Sequence, residues 1–107
     1  MITLDEGPTF EMSASLNRSN RSSLDVTSTE LVTVAALTAL QYPKEQLQIH
    51  IESALAAGCS PQEITEVILQ MALYAGLPAV RSALQAGTVV FRKAQLNKEH
   101  DNEMPSL

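Results

Sequence analysis

The stretch GCSPQEITEVILQMALYAGLP, residues 58–78, decides the fold because it carries both the start and the stop signals of a helix. Ser60, Pro61 and Glu63 stand at the N-cap, first and third helical positions, which is the pattern of a capping box with proline in the first turn. Gly76 supplies a break at the other end. The stretch therefore predicts a helix that begins at Pro61 and ends before Gly76.

The apolar residues of this helix cover more of its surface than a single core-facing stripe. One set follows the spacing of a buried stripe and a second set widens it: Ile64, Val67, Ile68, Met71 and Ala72, then Leu69, Leu73 and Tyr74. A helix with so little polar surface needs neighbours on nearly every side. Because a chain this short cannot supply them all, we expect the remaining apolar face to form a contact between subunits.

Two more helices are predicted upstream. Thr27 and Glu30 fit a capping box for a first helix, whose residues 31–40 are apolar on nearly every side. Pro43, near the first turn, and Gly58, as a left-handed cap, bound a second helix. The apolar stripe of this second helix consists of Leu47, Ile51, Ala54, Leu55 and Gly58.

The remaining segments complete a chain of one domain. Residues 79–95 are apolar on one side and polar on the other, which predicts a fourth helix. Residues 98–107 are charged and favour an irregular tail. Residues 1–26 are polar with scattered apolar anchors, so we expect a flexible arm that lies against a neighbouring subunit. These assignments leave a single all-α domain over residues 27–97, built as a small helical bundle.

The composition limits the classes of function. The chain has 107 residues, a net charge of −5 and one cysteine. This acidic balance gives no footprint for a phosphate backbone, so nucleic acid is not an expected partner. A basic leader, an apolar run of about 18 residues and a second cysteine are all missing from the sequence, which favours a cytoplasmic protein without a membrane partner.

His50 is the first candidate for chemistry, because imidazole titrates near neutral pH and His50 borders the apolar stripe of the second helix. Glu30 can orient His50 or relay protons to it if the start of the first helix lies over the second. Two structural alternatives stay open. His50 can be hydrogen-bonded near the core, and Glu30 can be occupied in capping.

The third helix offers further polar side chains. Glu63, Glu66 and Gln70 lie at i, i+3 and i+7, which describes either a polar pocket wall or a solvated face. Tyr74 can donate a hydrogen bond to a ligand, or it can pack with its hydroxyl at the rim. Cys59 precedes a helix start, where it is either a thiol with some thiolate character or an apolar contact across the cap.

Three segments, in their order and spacing, resemble the carboxymuconolactone decarboxylase family. They are Glu30-Leu31-Val32-Thr33-Val34-Ala35-Ala36-Leu37, then His50-Ile51 with Ala54-Leu55 and Gly58, then Glu63-Ile64, Glu66-Val67-Ile68-Leu69-Gln70 and Tyr74-Ala75-Gly76-Leu77-Pro78-Ala79. The resemblance implies an all-α fold of the alkylhydroperoxidase D-like type that assembles into homo-oligomeric rings, as a trimer or hexamer. It further implies pockets near subunit contacts and no metal or organic cofactor.

The family has a peroxidase branch, similar to alkylhydroperoxidase D, that carries a Cys-x-x-Cys motif just before the histidine. Pro43 and Gln46 stand at those two cysteine positions in this chain. A thiol pair is needed for a disulfide cycle, so thiol peroxidase activity is not expected.

The decarboxylase branch removes CO2 from a γ-carboxylated muconolactone and needs a proton donor and an anion clamp. The resemblance makes His50 the catalytic acid with Glu30 as its partner. The residues expected to contact the substrate, a small organic acid, are Arg81, Tyr74, Glu66 and Gln70. Thr29 and Gln70 depart from the pattern of the decarboxylases, which look to have arginine and histidine there.

The resulting hypothesis is a cofactor-independent carboxy-lyase for a small carboxylated lactone or related acid, in the catabolism of aromatic compounds. The alternative is a non-catalytic oligomeric member of the family that binds a ligand or serves as an accessory protein.

Overall fold

The computed structural model describes residues 23–103, with side chains for residues 23–101, and this part of the chain is all-α without a strand. Its elements are α1 (Val26–Ala39), α2 (Lys44–Ala56), α3 (Pro61–Gln70), the single turn α4 (Ala72–Ala75) and α5 (Leu77–Glu103). The predicted all-α fold is thereby confirmed. Most of the arm expected over residues 1–26 lies outside the described residues.

Helices α1 and α2 form an antiparallel pair whose open end is closed by α3. Thr27, at the start of α1, lies beside Gly58, which follows α2. Gly58 has φ +108, and the backbone N–H groups of Gly58 and Cys59 donate to the carbonyls of Leu55 and Ala54, a Schellman ending. The starts of α1 and α3 and the end of α2 therefore meet at one end of the bundle, which we call the capped end.

The capping box predicted for α3 is present. The Glu63 N–H donates to Ser60 Oγ at 3.0 Å, the Ser60 N–H donates to Glu63 Oε1 at 2.8 Å, and Pro61 is the first residue of the helix. Cys59, one residue before the cap, is buried in the same hydrophobic cluster as Ile64. The packing therefore supports the interpretation of Cys59 as an apolar contact across the cap.

The cap predicted for α1 is wrong. The N-cap is Asp25, whose Oδ1 accepts the Ser28 N–H at 2.8 Å and the Thr27 hydroxyl at 3.1 Å. The helix consequently begins at Val26, and Glu30 is not part of a capping box. Asp25 rather than Thr27 is the N-cap because a carboxylate at this position satisfies an orphan backbone donor and also complements the positive end of the helix.

The core lies between α1, α2, α3 and α5 and is assembled from aliphatic and small side chains. Val34, Ile51, Ile64 and Ile68 are completely buried. Three alanines are fully or almost fully buried among them: Ala54, Ala83 and Ala86. Because such small residues let helix backbones approach closely, a chain poor in aromatic residues can still pack densely.

The predictions for the C-terminal half require two corrections. The apolar third helix ends at Gln70 rather than running on to Tyr74, and the short α4 follows it. The expected irregular tail is helical as far as Glu103. Residues 95–103 contain neither glycine nor proline, and five of the nine are good helix formers. A contact between Gln95 and Glu99, at i and i+4, supports this last part of α5. None of the helices in the described part of the chain has the length and apolarity required to span a membrane.

Several large apolar side chains remain at the surface of the described chain. The largest exposed fractions belong to Leu73 (86%), Tyr74 (80%) and Leu77 (73%), which follow one another around α4 and the start of α5. We refer to these three residues as the apolar patch. Val32 on α1 and Leu69 on α3 are also about half exposed or more. The residues expected to widen the stripe of the third helix, Leu69, Leu73 and Tyr74, therefore do not face the core of the single chain.

Candidate functional site

A cleft of about 270 Å³ opens at the end of the bundle opposite the capped end, and we call this the cleft end. The end of α1, the start of α2 and the start of α5 form its walls. Its lining residues are Leu37, Thr38, Gln41, Tyr42, Leu47, Pro78, Ala79, Ser82 and Ala83. Most of these side chains are aliphatic. The others carry two hydroxyls, a phenol and an amide.

The α1 wall of the cleft is shaped by the way in which α1 ends. The N–H groups of Gln41 and Tyr42 donate to the carbonyls of Thr38 and Leu37, both at 3.1 Å, which is again a Schellman ending. Gln41 occupies the left-handed position, with φ +57, where glycine is usual. A residue with a Cβ is strained in this conformation. Gln41 adopts this strained conformation at the edge of the cleft.

The α2 wall begins at Pro43, which is the N-cap of α2 and provides no side-chain cap. Lys44 Nζ donates a hydrogen bond of 2.7 Å to Gln85 Oε1 on α5, so this cation is held between the two helices by a neutral amide. Helix α5 also begins here, with Pro78 and Ala79 at the cleft. The starts of two helices and one lysine therefore lie near the cleft, and Glu45 in the first turn of α2 adds a negative charge there.

His50 lies on α2, partly buried, and is followed by the completely buried Ile51. It is three residues beyond Leu47, which lines the cleft, and is thus one helical turn further along α2. The structure places His50 on the border of the apolar stripe, as the sequence predicts. Its chemical role stays a prediction.

Glu30 belongs to the capped end. It is close enough to Cys59 for its charge to contribute to a rise in the pKa of that thiol. Because α1 and α2 are antiparallel with Thr27 beside Gly58, Glu30 comes level with Leu55, about one and a half helical turns from His50. Glu30 and His50 thus lie on neighbouring helices at different heights in the bundle.

The four residues expected to contact a substrate are exposed: Arg81, Tyr74, Glu66 and Gln70. None of them, and neither His50 nor Glu30, is among the residues that line the cleft. Arg81 directly precedes Ser82, and Tyr74 belongs to the apolar patch. The solvated alternative for Glu66 and Gln70 agrees with their exposure in the single chain.

The polar residues of the cleft were not singled out from the sequence. Gln41, Tyr42, Thr38 and Ser82 belong to no motif and stand on three separate segments. One available signal was Pro43, three residues after the C-cap Leu40, because proline is common one to three residues beyond the end of a helix. The glycine that usually accompanies such a helix end is absent, and the signal was therefore weak.

Cys59 is not a nucleophile in this structure. Its Sγ–H donates to the Thr27 carbonyl oxygen at 3.4 Å, and the side chain is 4% exposed. Burial, followed by the charges of Glu63, Glu30 and Asp25, raises the pKa of the Cys59 thiol above its ordinary value. A neutral, enclosed thiol is the inert form of cysteine.

Comparisons with known proteins agree with this architecture. The model of the carboxymuconolactone decarboxylase family matches residues 9–88, a range that begins within the segment expected to form an arm. An uncharacterized 15.0 kDa protein of Paracoccus denitrificans is 41% identical over 75 residues, covering 67% of this chain and 54% of its own length. A protein of Acinetobacter baylyi named 4-carboxymuconolactone decarboxylase is 36% identical over 73 residues. The match covers 68% of this chain and 54% of the Acinetobacter protein. The chain spans about half the length of these curated relatives.

Proposed function

The chain belongs to the carboxymuconolactone decarboxylase family, and we propose that it is a cofactor-independent carboxy-lyase acting on a small carboxylated lactone or related acid. The family match over residues 9–88 carries this proposal. The similarity to the Acinetobacter baylyi protein points to the same chemistry. We place the activity in the cytoplasm, within the breakdown of aromatic compounds.

The reaction makes two demands on the protein. When the C–C bond to the carboxylate breaks, CO2 leaves and the electron pair spreads toward the lactone carbonyl as an enolate. A proton must then be returned to carbon, and the negative charge must be stabilised meanwhile. In our proposal His50 donates the proton and is reprotonated from solvent, while Arg81 holds the anionic substrate.

Three structural features support these assignments. His50 is partly buried on α2, one turn from the cleft, which is where a proton donor can be sheltered from bulk water. Arg81 is on α5 and adjacent in sequence to Ser82, a lining residue of the cleft. Glu30 lies on α1, which packs against α2, and acts in this proposal as a positioning residue for His50.

The test is CO2 release from carboxymuconolactone by the purified protein. We expect His50→Ala to lower the rate by about 10²–10⁴-fold, the usual contribution of general acid catalysis. His100→Ala is the matched control, because His100 is exposed near the end of α5 and its loss leaves the rate unchanged. If the wild-type protein releases no CO2, the lyase proposal is wrong and a non-catalytic ligand-binding or accessory role replaces it. If it releases CO2 and both variants behave alike, His50 is not the proton donor.

We propose further that the protein is a homo-oligomer, a trimer or hexamer, joined in part through the apolar patch. Leu73, Tyr74 and Leu77 expose most of their surface, and such contiguous apolar surface is characteristic of protein interfaces. Light scattering tests this directly. Leu73→Asp is expected to lower the molar mass, whereas Leu96→Asp, an equally drastic change at an exposed leucine on distal α5, is expected to leave it unchanged. A monomeric wild-type mass would contradict the proposal.

A further inference from the structure

We propose that the cleft is the binding site for the anionic lactone, with Gln41, Tyr42 and Ser82 as the residues that orient it and Lys44 as the cation at its rim. The chemical class of the ligand rests on the proposed function. The location rests on the cleft itself. None of the site residues predicted from the sequence is among the residues that line it.

The lining of the cleft fits a small molecule with an apolar ring and several oxygen acceptors. Leu37, Leu47, Ala79 and Ala83, all buried, form the floor of the cleft, and Pro78 is the aliphatic residue that is exposed there. The Tyr42 phenol, the Ser82 hydroxyl and the Gln41 amide provide donors around it. A volume of about 270 Å³ lies just below the range of about 300–1,000 Å³ that suits drug-sized ligands, so a single-ring compound is the appropriate size.

The charges around the cleft favour an anion. Lys44 is fixed by its 2.7 Å hydrogen bond to Gln85, and since that partner is a neutral amide the bond leaves the positive charge of the lysine uncompensated. The start of α2 has no side-chain cap at Pro43 and carries the acidic Glu45 in its first turn, which offsets the positive end of the helix, so Lys44 is the cation on which anion binding depends. A carboxylate on the ligand can pair with Lys44 at this rim.

The conformation of Gln41 supports a role for its side chain. Glycine would occupy φ +57 without strain, yet the chain places there a residue with a long amide side chain that lines the cleft. Backbone strain of this kind is concentrated at ligand-binding positions, where the side chain is needed for contact. The amide can donate to a lactone carbonyl and accept from a hydroxyl.

Isothermal titration calorimetry with a furanone acetic acid, the lactone skeleton without its second carboxylate, tests the site. We expect one ligand per chain for the wild-type protein. Ser82→Trp, which fills the cleft, is expected to raise Kd at least tenfold. Thr88→Trp is the matched control, because Thr88 is an exposed hydroxyl residue on the same helix and away from the cleft, and it is expected to leave Kd unchanged.

A second variant separates binding from folding. Gln41→Gly relieves the strained conformation, so the fold is retained, and Kd is expected to rise several-fold through loss of the amide. Unchanged Kd values in both Ser82→Trp and Gln41→Gly, or no binding by the wild-type protein, would overturn the assignment of the cleft.

The same measurements distinguish this inference from the proposed function. If the probe binds with the expected response to Ser82→Trp and no CO2 is released from carboxymuconolactone, the cleft stands as a binding site and the lyase proposal fails. If CO2 is released with a KM that Ser82→Trp and Gln41→Gly leave unchanged, the lyase proposal stands and the cleft is not where the substrate binds.

Discussion

The two ends of the bundle differ in how completely their local interactions are satisfied. At the capped end, Asp25 and Ser60 cap two helices, Gly58 takes the left-handed position, and Cys59 donates to a backbone carbonyl. At the cleft end, Pro43 gives α2 no side-chain cap and Gln41 occupies a left-handed position despite its Cβ. The apolar patch lies at the cleft end, next to the start of α5.

The capped end therefore contributes mainly to stability and the cleft end mainly to binding, although the whole chain has only about one hundred residues. Residues that satisfy backbone donors and fill the core need no external partner, and they are concentrated where α1, α2 and α3 meet. Strain, uncompensated charge and exposed apolar surface are characteristic of sites that complete themselves with a ligand or a subunit. We therefore expect mutations at the two ends to affect different properties.

The largest effect is expected from Ile64→Ala near the capped end. Ile64 is completely buried, so its truncation should lower the free energy of unfolding by about 2–5 kcal/mol, measured by urea denaturation. Leu73→Ala at the cleft end is the comparison, because Leu73 is 86% exposed and contributes little within one chain. The distinction between the ends is wrong if Leu73→Ala destabilises an isolated chain as much as Ile64→Ala does.

Gly58→Ala is expected to have the second largest effect. At φ +108 a Cβ is strained, so the substitution should cost about 1–2 kcal/mol of unfolding free energy, read from the shift in the denaturation midpoint. Glu52→Ala, at an exposed position of α2, the helix that Gly58 follows, should shift the midpoint much less. An equal shift in both variants would show that the Schellman ending adds nothing specific.

Gln41→Gly is expected to act in the opposite direction. Because Gln41 is strained at φ +57, glycine should raise the free energy of unfolding by up to about 1 kcal/mol. The identical substitution Gln46→Gly, within α2, should instead lower it by about 0.5–1 kcal/mol. If Gln41→Gly instead lowers the free energy of unfolding, the backbone of Gln41 is not strained and strain does not distinguish the cleft end.

The smallest effect is expected from the charge of Asp25. Hydrogen bonds from the Ser28 side chain and backbone, and then from the Thr27 hydroxyl, lower the pKa of the Asp25 carboxyl. A lowered pKa in the folded state means that the contribution is present above the ordinary pKa, about 3.9, and is lost as the pH falls through the lowered value. Thermal melts should therefore show that wild-type protein loses its advantage over Asp25→Asn below about pH 4.

An advantage of the wild-type protein that does not shrink as the pH falls below about 4, or one that grows, would contradict this assignment for Asp25. Asp101→Asn, in the last part of α5, serves as the control for a general effect of removing one negative charge.

Local sequence signals accounted for much of the fold. The start of α3 at Pro61 and the turn at Gly58 were predicted because capping residues and glycines act within a few residues of themselves. The start of α1 was misplaced because Asp25 and Thr27 are both good caps and only their hydrogen bonds decide between them. The break at Met71 carries no glycine or proline, so packing rather than local preference ends α3.

The candidate site was less predictable because it depends on tertiary arrangement. Helical spacing placed His50 beside the apolar stripe, and the structure agrees. The cleft, however, is assembled from three segments that meet only after folding, and Gln41 lacks the glycine that would have marked its turn. The helical spacing did predict that apolar residues such as Leu73 and Tyr74 exceed what one core can bury, but it does not say which surface would cover them.

The length of α5 has a consequence for the dynamics of the chain. Residues 92–101 are exposed throughout, although they continue a helix whose earlier turns hold Val80, Ala83 and Ala86 in the core. A helical segment with so little packing has only its own hydrogen bonds to protect it, and short isolated segments of this kind are marginal in water. In hydrogen-exchange terms α5 is therefore two units, with amides up to about Val90 opening with the bundle and those beyond it exchanging through local fraying.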